Sequence, residues 1–406
     1  MRIVLWRGYH GPEFRELIAY ALEGKLLLIA CPPELDDLSF VEHLPSGRLE
    51  LLGSWGDAVV PERKGFKHYP ELPCLGVFTS ATTERAKLVL YTRANVESCA
   101  SSIFALFERS RICEVFCYPQ PFHTFGLTLG YASAHLFGWE LIAPEGKYSR
   151  SHHEAWICSV GENTLTLGTP THFLDLAQFV KNSGTVSRPS YSAIAGGARV
   201  SRELWLLMRD QLLIEAPSIG YGATEASPGV SHLAPGIEPV EDGEVGRPLS
   251  HLSVEVDPLS GVTFRGSSVC SAIISETGVE FPESFTLPDL VRVRADGTWV
   301  YEGRAKFTLN RGGKKILLEA VEKELHSRFG IEALGFSVPD SRLGEELGLL
   351  LKTSAEDLRF RREEFVSHLR EKYGMNFSSQ HLRAVSGFPL NANLKPDRHK
   401  ALTHQL

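Results

Sequence analysis

The chain predicts an α/β protein, a large layered N-terminal domain followed by a small C-terminal α+β domain, and three observations carry that prediction. Short apolar runs alternate with helical stretches up to about residue 300, with Gly and Pro between them, which is the pattern of a layered body. After Lys306 the texture changes to two amphipathic helical stretches and two strand-like runs. The charge divides at the same place: residues 307–406 hold 16 Lys and Arg against 13 Asp and Glu, net +3, whereas residues 1–306 hold 26 against 36, net −10. The boundary is therefore expected at Ala305–Lys306, giving domains 1–305 and 306–406, the second large enough for a modest core of its own.

The elements follow in order. The opening Met1-Arg-Ile-Val-Leu-Trp-Arg7 reaches charged residues too early for a signal peptide, and Lys25-Leu-Leu-Leu-Ile-Ala-Cys31 is far shorter than the roughly 20 apolar residues that span a bilayer. A cytoplasmic protein with no membrane partner is expected. Cys74–Phe78, Lys87–Tyr91, Glu114–Cys117 and Tyr191–Ala195 have the length and composition of buried strands, and each runs into a loop rich in Gly, Thr, Pro or His, where sites of layered sheets lie. Ala295-Asp-Gly-Thr298 is a turn between two alternating apolar runs, hence a hairpin. Beyond Lys306, Leu317–Phe329 and Ser354–Tyr373 have helical spacing, and Ala333–Val338 and Leu347–Lys352 read as strands.

Composition narrows the function classes. A formal charge of −7 provides no overall attraction to nucleic acid or an anionic membrane, so any bound phosphate must be met by local groups or a metal. Seven cysteines, an odd number without Cys-x-x-Cys pairs, read as reduced thiols. Adjacent histidines on a strand face opposite ways, so His152-His153-Glu154 is expected to be a loop or surface pair rather than a metal site. The chain has no Gly-x-Ser-x-Gly elbow and no Gly-x-x-x-x-Gly-Lys-Ser/Thr loop.

Several segments carry chemistry. Thr79, Ser80, Thr82, Thr83 and Lys87 follow a strand and can wrap pyrophosphate oxygens, or form a plain hydroxyl-rich turn. Tyr118-Pro-Gln-Pro-Phe-His123-Thr-Phe-Gly126 presents a histidine that is either a site group or a satisfied loop residue. Gly196-Gly197-Ala198, after an apolar strand, lets backbone pass close to a flat ring or simply turns tightly. In Gly220-Tyr-Gly-Ala-Thr-Glu-Ala-Ser227, Tyr221 can stack on a base, Gly222 can turn the chain, Thr224 can donate to a phosphate and Glu225 can hold Mg2+. Asp289 can accept from two vicinal hydroxyls, and Arg304 offers a rigid fork of donors.

In this order these segments resemble the motifs of the adenylate-forming superfamily, the acyl- and aryl-CoA synthetases. Asp242-Gly-Glu-Val-Gly-Arg-Pro-Leu249, Asn310-Arg-Gly-Gly-Lys-Lys-Ile316 and Pro389-Leu-Asn-Ala-Asn-Leu-Lys395-Pro-Asp-Arg398 extend the likeness, which runs from about Cys74 to Leu402. It implies an ATP- and acyl-binding domain over 1–305 and a mobile domain over 306–406 that swivels at a hinge, Lys306. It implies ATP contacts from Thr79, Ser80, Thr82, Thr83, Lys87, Gly196, Gly197, Ala198, Tyr221, Gly222, Asp289 and Arg304. Substrate or CoA contacts fall to His123, Gly220, Gly312 and Gly313, catalysis to Lys395, Thr224 and Glu225, and the metal to Glu225. The chain departs from the family pattern at Ala81 and Glu84, where glycines are usual, and at Leu394, where Gly usually precedes the lysine. Only 78 residues precede Thr79, so the N-terminal domain is expected to be truncated.

The resemblance implies a ligase that forms an acyl-adenylate from ATP and a carboxylic acid, then a thioester with coenzyme A, with magnesium as cofactor and a homodimer compatible. The compact length and the small Ala223, Ala226, Ser227 and Gly229 around the Tyr221 turn are compatible with a bulky or aromatic acid, and by family analogy and size the o-succinylbenzoate-CoA synthetases of menaquinone biosynthesis are the best single match among short members. The alternatives are an adenylating enzyme that loads a carrier protein, and a nucleotide- or acyl-binding relic.

Overall fold

The apolar runs are strands because they are buried on both faces, where β-branched and aliphatic side chains pack best. In a computed structural model the chain is described except at residues 54, 56–67, 80–85, 185–186, 258–260, 305–306, 313, 391–395 and 404–406. It divides into two units: Met1–Glu255 with Thr263–Thr286 and Val293–Val300, and Val256–Val262 with Leu287–Arg292 and Tyr301–Leu406. The second unit thus takes in two short segments that lie before the expected boundary.

In the first unit, strands β1 (Arg2–Arg7), β2 (Leu26–Cys31), β3 (Arg48–Gly53), β4 (Leu75–Phe78) and β5 (Leu88–Tyr91) form one sheet in the order β5-β4-β2-β1-β3, continued beyond β5 by Ala272–Ser275 and Gly278–Glu280. β3, β1, β2 and β4 run parallel, and β5 turns back antiparallel on β4. Strands β6 (Glu114–Cys117), β7 (Glu140–Ile142), β8 (Thr164–Gly168), β9 (Ser190–Gly196), β10 (Ile214–Gly222), β11 (Gly229–Leu233) and β12 (Glu244–Pro248) form the second, in the order β12-β11-β10-β9-β8-β6-β7. Here β7, β6, β8, β9 and β10 are parallel, so their C-terminal ends, and the loops that follow, gather on one edge. Helices α1 (Pro12–Leu22) and α2 (Arg93–Phe104) share one apolar cluster with both sheets: Phe14, Ile18, Val96 and Ile103 pack with Val77 and Val89 of the first and Val115, Leu165 and Ile194 of the second.

His152 and His153 lie on the helix Arg150–Ser159, and both are buried, which corrects the expectation of a loop or surface pair. A helix places neighbours 100° apart rather than on opposite faces, so both rings reach the core side. All seven cysteines are free thiols. No helix among the described residues is long and apolar enough to cross a membrane.

In the second unit Thr308–Arg311 and Lys314–Leu317 form a hairpin, and Ala333–Asp340 pairs antiparallel with Gly344–Lys352. The helices Leu318–Phe329 and Ala355–Tyr373 pack Val321, Leu325, Phe365 and Leu369 against Leu349 and Leu351 of the sheet. Each helix ends at a left-handed glycine, Gly330 and Gly374, and Ser354 caps the second by accepting from the Asp357 amide at 3.0 Å. The element boundaries match the helical and strand spacing of the sequence to within three residues.

Candidate active site

The β4–β5 hairpin carries the hydroxyl-rich loop. Its neck is closed by the Thr79 amide donating to Lys87 O at 2.8 Å and the Lys87 amide donating to Thr79 Oγ1 at 3.1 Å. Thr79 is partly buried and Lys87 exposed, while Ser80, Thr82 and Thr83, with Ala81 and Glu84, lie outside the described residues. At the far end of β5, Thr92 caps α2: its hydroxyl accepts from the Asn95 amide at 3.2 Å, and Asn95 Oδ1 accepts from the Thr92 amide at 2.9 Å.

The Tyr118–Gly126 segment leaves the end of β6 and winds into a π-helix, Phe125–Ala132. Such turns are rare and cluster at functional sites. His123 is partly buried with its ring 4.6 Å from that of Phe122, and its carbonyl accepts from the Leu127 amide at 2.8 Å. Thr128 Oγ1 donates to Thr124 O at 2.6 Å, which helps to hold the start of the π-helix.

β9 and β10 end side by side, with Gly196 opposite Gly220. A Cβ on Gly196 would lie 3.0 Å from Gly220 O and 3.7 Å from Phe125 Cε1, so the glycine lets three segments meet. Gly197 and Ala198 beyond it are exposed. At Gly222 a Cβ would overlap the Pro228 carbonyl oxygen, so the chain can fold back into the turn only with no side chain there. Tyr221 and Thr224 are partly exposed, and Thr224–Ala226 make a single 3-10 turn. The Tyr91 hydroxyl reaches this turn, 2.7 Å from Thr224 O and 3.1 Å from Thr124 Oγ1, and the Cys270 amide donates to Glu225 O at 2.9 Å.

The first unit therefore brings together Thr124–Phe125, Gly196, Gly220, Gly222, Thr224 and Glu225. A Mg2+ ion keeps several waters and takes one or two carboxylates plus phosphate oxygens. Among the described residues no cluster of three metal-type side chains is assembled, and Glu225, which follows Thr224 in the chain, is partly exposed; a single carboxylate fits such an ion only together with phosphate. Of the small residues taken as room for the acid, Ala226 and Ser227 are fully buried, and a Cβ on Gly229 would lie 2.8 Å from the Ile103 and Leu249 side chains. They pack the core behind the turn, which corrects that expectation and leaves Ala223 alone partly exposed.

In the second unit, Asp289 is 2% exposed and its Oδ1 is 3.0 Å from Arg304 Nε, so the two groups expected to grip the nucleotide separately are partners of each other. The Arg304 amide donates to Glu319 Oε2 at 2.7 Å. Gly312 sits in the hairpin turn with its amide donating to Leu343 O at 2.8 Å, while Arg311 clamps Glu346 with two bonds of 2.8 and 2.7 Å. Gly313, Lys306 and Lys395 lie outside the described residues. On either side of the lysine segment, Leu390 bridges to Pro396 and the Asp397 amide donates to Pro389 O at 2.8 Å. Arg398 then meets Glu322 and Gly335 O, with its guanidinium 4.8 Å from the Phe307 ring centre.

Residue patterns had missed Tyr91, Thr124 and the Arg398 cluster. A tyrosine ending an otherwise aliphatic buried strand was the available signal, because a buried phenol needs a partner for its hydroxyl.

A layered α/β unit whose parallel strands end together at glycines and a hydroxyl turn has the architecture in which open sheets bind ligands at their carboxyl ends. The family described as AMP-binding enzyme matches residues 34–266, and the chain belongs to that family, within the adenylate-forming superfamily expected from its motifs. It is 27% identical over 327 residues to an acyl-CoA ligase of Penicillium expansum, covering 73% of this chain and 66% of that protein. To a feruloyl-CoA synthase of an Amycolatopsis species it is 26% identical over 386 residues, covering 89% of this chain and 72% of that protein. The chain thus spans about two thirds of the length of these relatives. Its fold is similar to that of the o-succinylbenzoate CoA synthetase of Bacillus subtilis solved with its acyl-adenylate, at 18% identity and TM-score 0.71 over 98% of this chain and 87% of that one.

Proposed function

We propose that the protein is a cytoplasmic AMP-forming acid–thiol ligase that activates an aryl carboxylic acid and transfers it to coenzyme A. The observation that carries this reading is the meeting of Gly196, Gly220 and Phe125, with Gly222 leading into the Thr224–Glu225 turn, which leaves side-chain-free backbone next to a hydroxyl residue and a carboxylate residue. In the first half-reaction an acid oxygen attacks the α-phosphorus of ATP, the bond to the bridging oxygen breaks, and acyl-adenylate and pyrophosphate form. Tyr221 stacks on adenine, Thr224 donates to the α-phosphate, and Thr79, Ser80, Thr82, Thr83 and Lys87 receive the departing pyrophosphate. Magnesium held by Glu225 would neutralise phosphate charge. Lys395 neutralises the charge shared by carboxylate and phosphoryl oxygens. In the second half-reaction the CoA sulfur attacks the acyl carbon and AMP leaves, with 306–406 swivelling at Lys306 against 1–305 so that Gly312 and Gly313 line the thiol path.

For the acid, o-succinylbenzoate is placed first on family size, and the feruloyl-CoA synthase likeness favours the wider aryl class. The deciding assay is ATP–pyrophosphate exchange with o-succinylbenzoate, ferulate, benzoates and medium-chain acids. Exchange with an aryl acid supports the reading, whereas nucleotide binding without any exchange favours a relic, which Ala81 and Glu84 would explain. Lys395→Ala is expected to lower the exchange rate by a factor matching about 2–4 kcal/mol of barrier, yet to spare thioester formation from supplied acyl-adenylate. Equal loss of both steps would contradict its role.

A further inference from the structure

Tyr91 ends a strand whose other residues are aliphatic, and it is fully buried. Phenylalanine would fill the same space without the cost of desolvating a hydroxyl, so the oxygen is retained for its two partners. Those partners belong to different segments of the site: Thr224 O at 2.7 Å and Thr124 Oγ1 at 3.1 Å. A carbonyl can only accept, so the single phenol proton goes to Thr224 O, and the Thr124 hydroxyl is left to donate to the phenol oxygen. Burial, and after it the nearby thiol and Glu225 charges, push the Tyr91 ionisation well above the ordinary tyrosine range, so the donor is present at all working pH values.

The Thr224 carbonyl belongs to the peptide plane that enters Glu225, and the Glu225 carbonyl, held by the Cys270 amide at 2.9 Å, belongs to the plane that leaves it. With both carbonyls held, rotation of the two peptide planes at Glu225 is restrained, which limits the directions in which its side chain can leave the backbone. We propose that Tyr91 is a positioning residue that orients Glu225 towards a phosphate-bound divalent cation by holding the Thr224–Glu225 peptide plane, and that Thr124 couples this hold to the His123–Phe125 segment. The inference rests on the ligase reading but needs no knowledge of the acid.

The test compares wild type with Tyr91→Phe, which keeps the ring, using calorimetric titration of ATP in Mg2+ and in EDTA. Magnesium is expected to tighten ATP binding in the wild type, and that gain should shrink about fivefold in the variant, the loss of one hydrogen bond, while affinity in EDTA is unchanged. In pyrophosphate exchange the Mg2+ concentration for half-maximal rate should rise by a similar factor, with the KM for the acid unaltered. A packing role alone would lower the melting temperature and leave the Mg2+ dependence as it was. Thr124→Val, which removes the second hydroxyl at constant shape, should move the same quantities in the same direction by about twofold, and it decides the matter should Tyr91→Phe not fold. Unchanged Mg2+ dependence in the folded variants, or a wild type whose ATP affinity ignores Mg2+, overturns the proposal. If no acid supports exchange but the Mg2+-dependent binding still differs between wild type and Tyr91→Phe, the ligase reading fails and the positioning role stands.

Discussion

His10, His172 and His232 are folded into the first unit with neutral rings, each held at about 3 by burial, with a small further push on His172 from the neighbouring His153. Their folded values lie below the unfolded 6.5, so the unfolded chain binds more protons in acid. The stability they allow is complete above pH 6.5 and is lost as pH falls from 6.5 towards 3, by about 1.4 kcal/mol per unit for each ring below about pH 5.5. Urea midpoints measured from pH 7.5 to 5 should therefore drop steeply in acid, and His172→Gln should lessen the slope by about one proton. A flat profile would contradict the burial of these rings. Nothing in the local pattern of His10, which donates or accepts with the Tyr131 hydroxyl at 2.8 Å across 121 positions, announced this. By contrast the turn at Gly222 was legible, because a steric need for glycine is a property of the local chain.

At the scale of elements, the short helix Arg398–Thr403 is pinned to Leu318–Phe329 by one guanidinium. Arg398 Nη2 lies 3.2 Å from Glu322 Oε2 and 3.7 Å from Glu319 Oε1, and Glu322 Oε1 also accepts from the Gly335 amide at 2.6 Å. All three charged side chains are less than one-fifth exposed, and burial pushes the Glu319 carboxyl above its usual range. Arg398→Met leaves two carboxylates without their cation and is expected to lower the stability of this unit by about 3 kcal/mol. Chemical denaturation would read this, and a loss below about 1 kcal/mol would mean the pair behaves as an exposed one. Of the two helices, Leu318–Phe329 was readable from its spacing. The cluster that ties them was not, since Arg398 and Glu322 are 76 positions apart.

For the molecule as a whole, the proposed ligase reading has two half-reactions separated by a swivel, with Lys306 as the proposed pivot. Lys306→Pro removes a backbone donor and locks φ, so the thioester step should slow while pyrophosphate exchange persists. Stopped-flow CoA acylation from bound adenylate measures this, and an unchanged rate would refute the pivot. The net +3 of residues 307–406 suits the phosphates of CoA and an acidic carrier protein alike. Offering both acceptors to the same acyl-adenylate separates them: faster transfer to CoA is expected, and exclusive transfer to holo-carrier would reassign the acceptor.

Apolar periodicity, glycine turns and motif order were enough to establish a layered sheet body and membership of an adenylate-forming family, because each is carried by patterns along the chain rather than by contacts between distant segments. The partnership of Asp289 with Arg304, the core packing of Ala226, Ser227 and Gly229, and the reach of Tyr91 to Thr124 and Thr224 emerged with the folded chain. These depend on which distant segments burial forces together, and a buried polar atom takes whatever partner the packing puts within hydrogen-bonding distance.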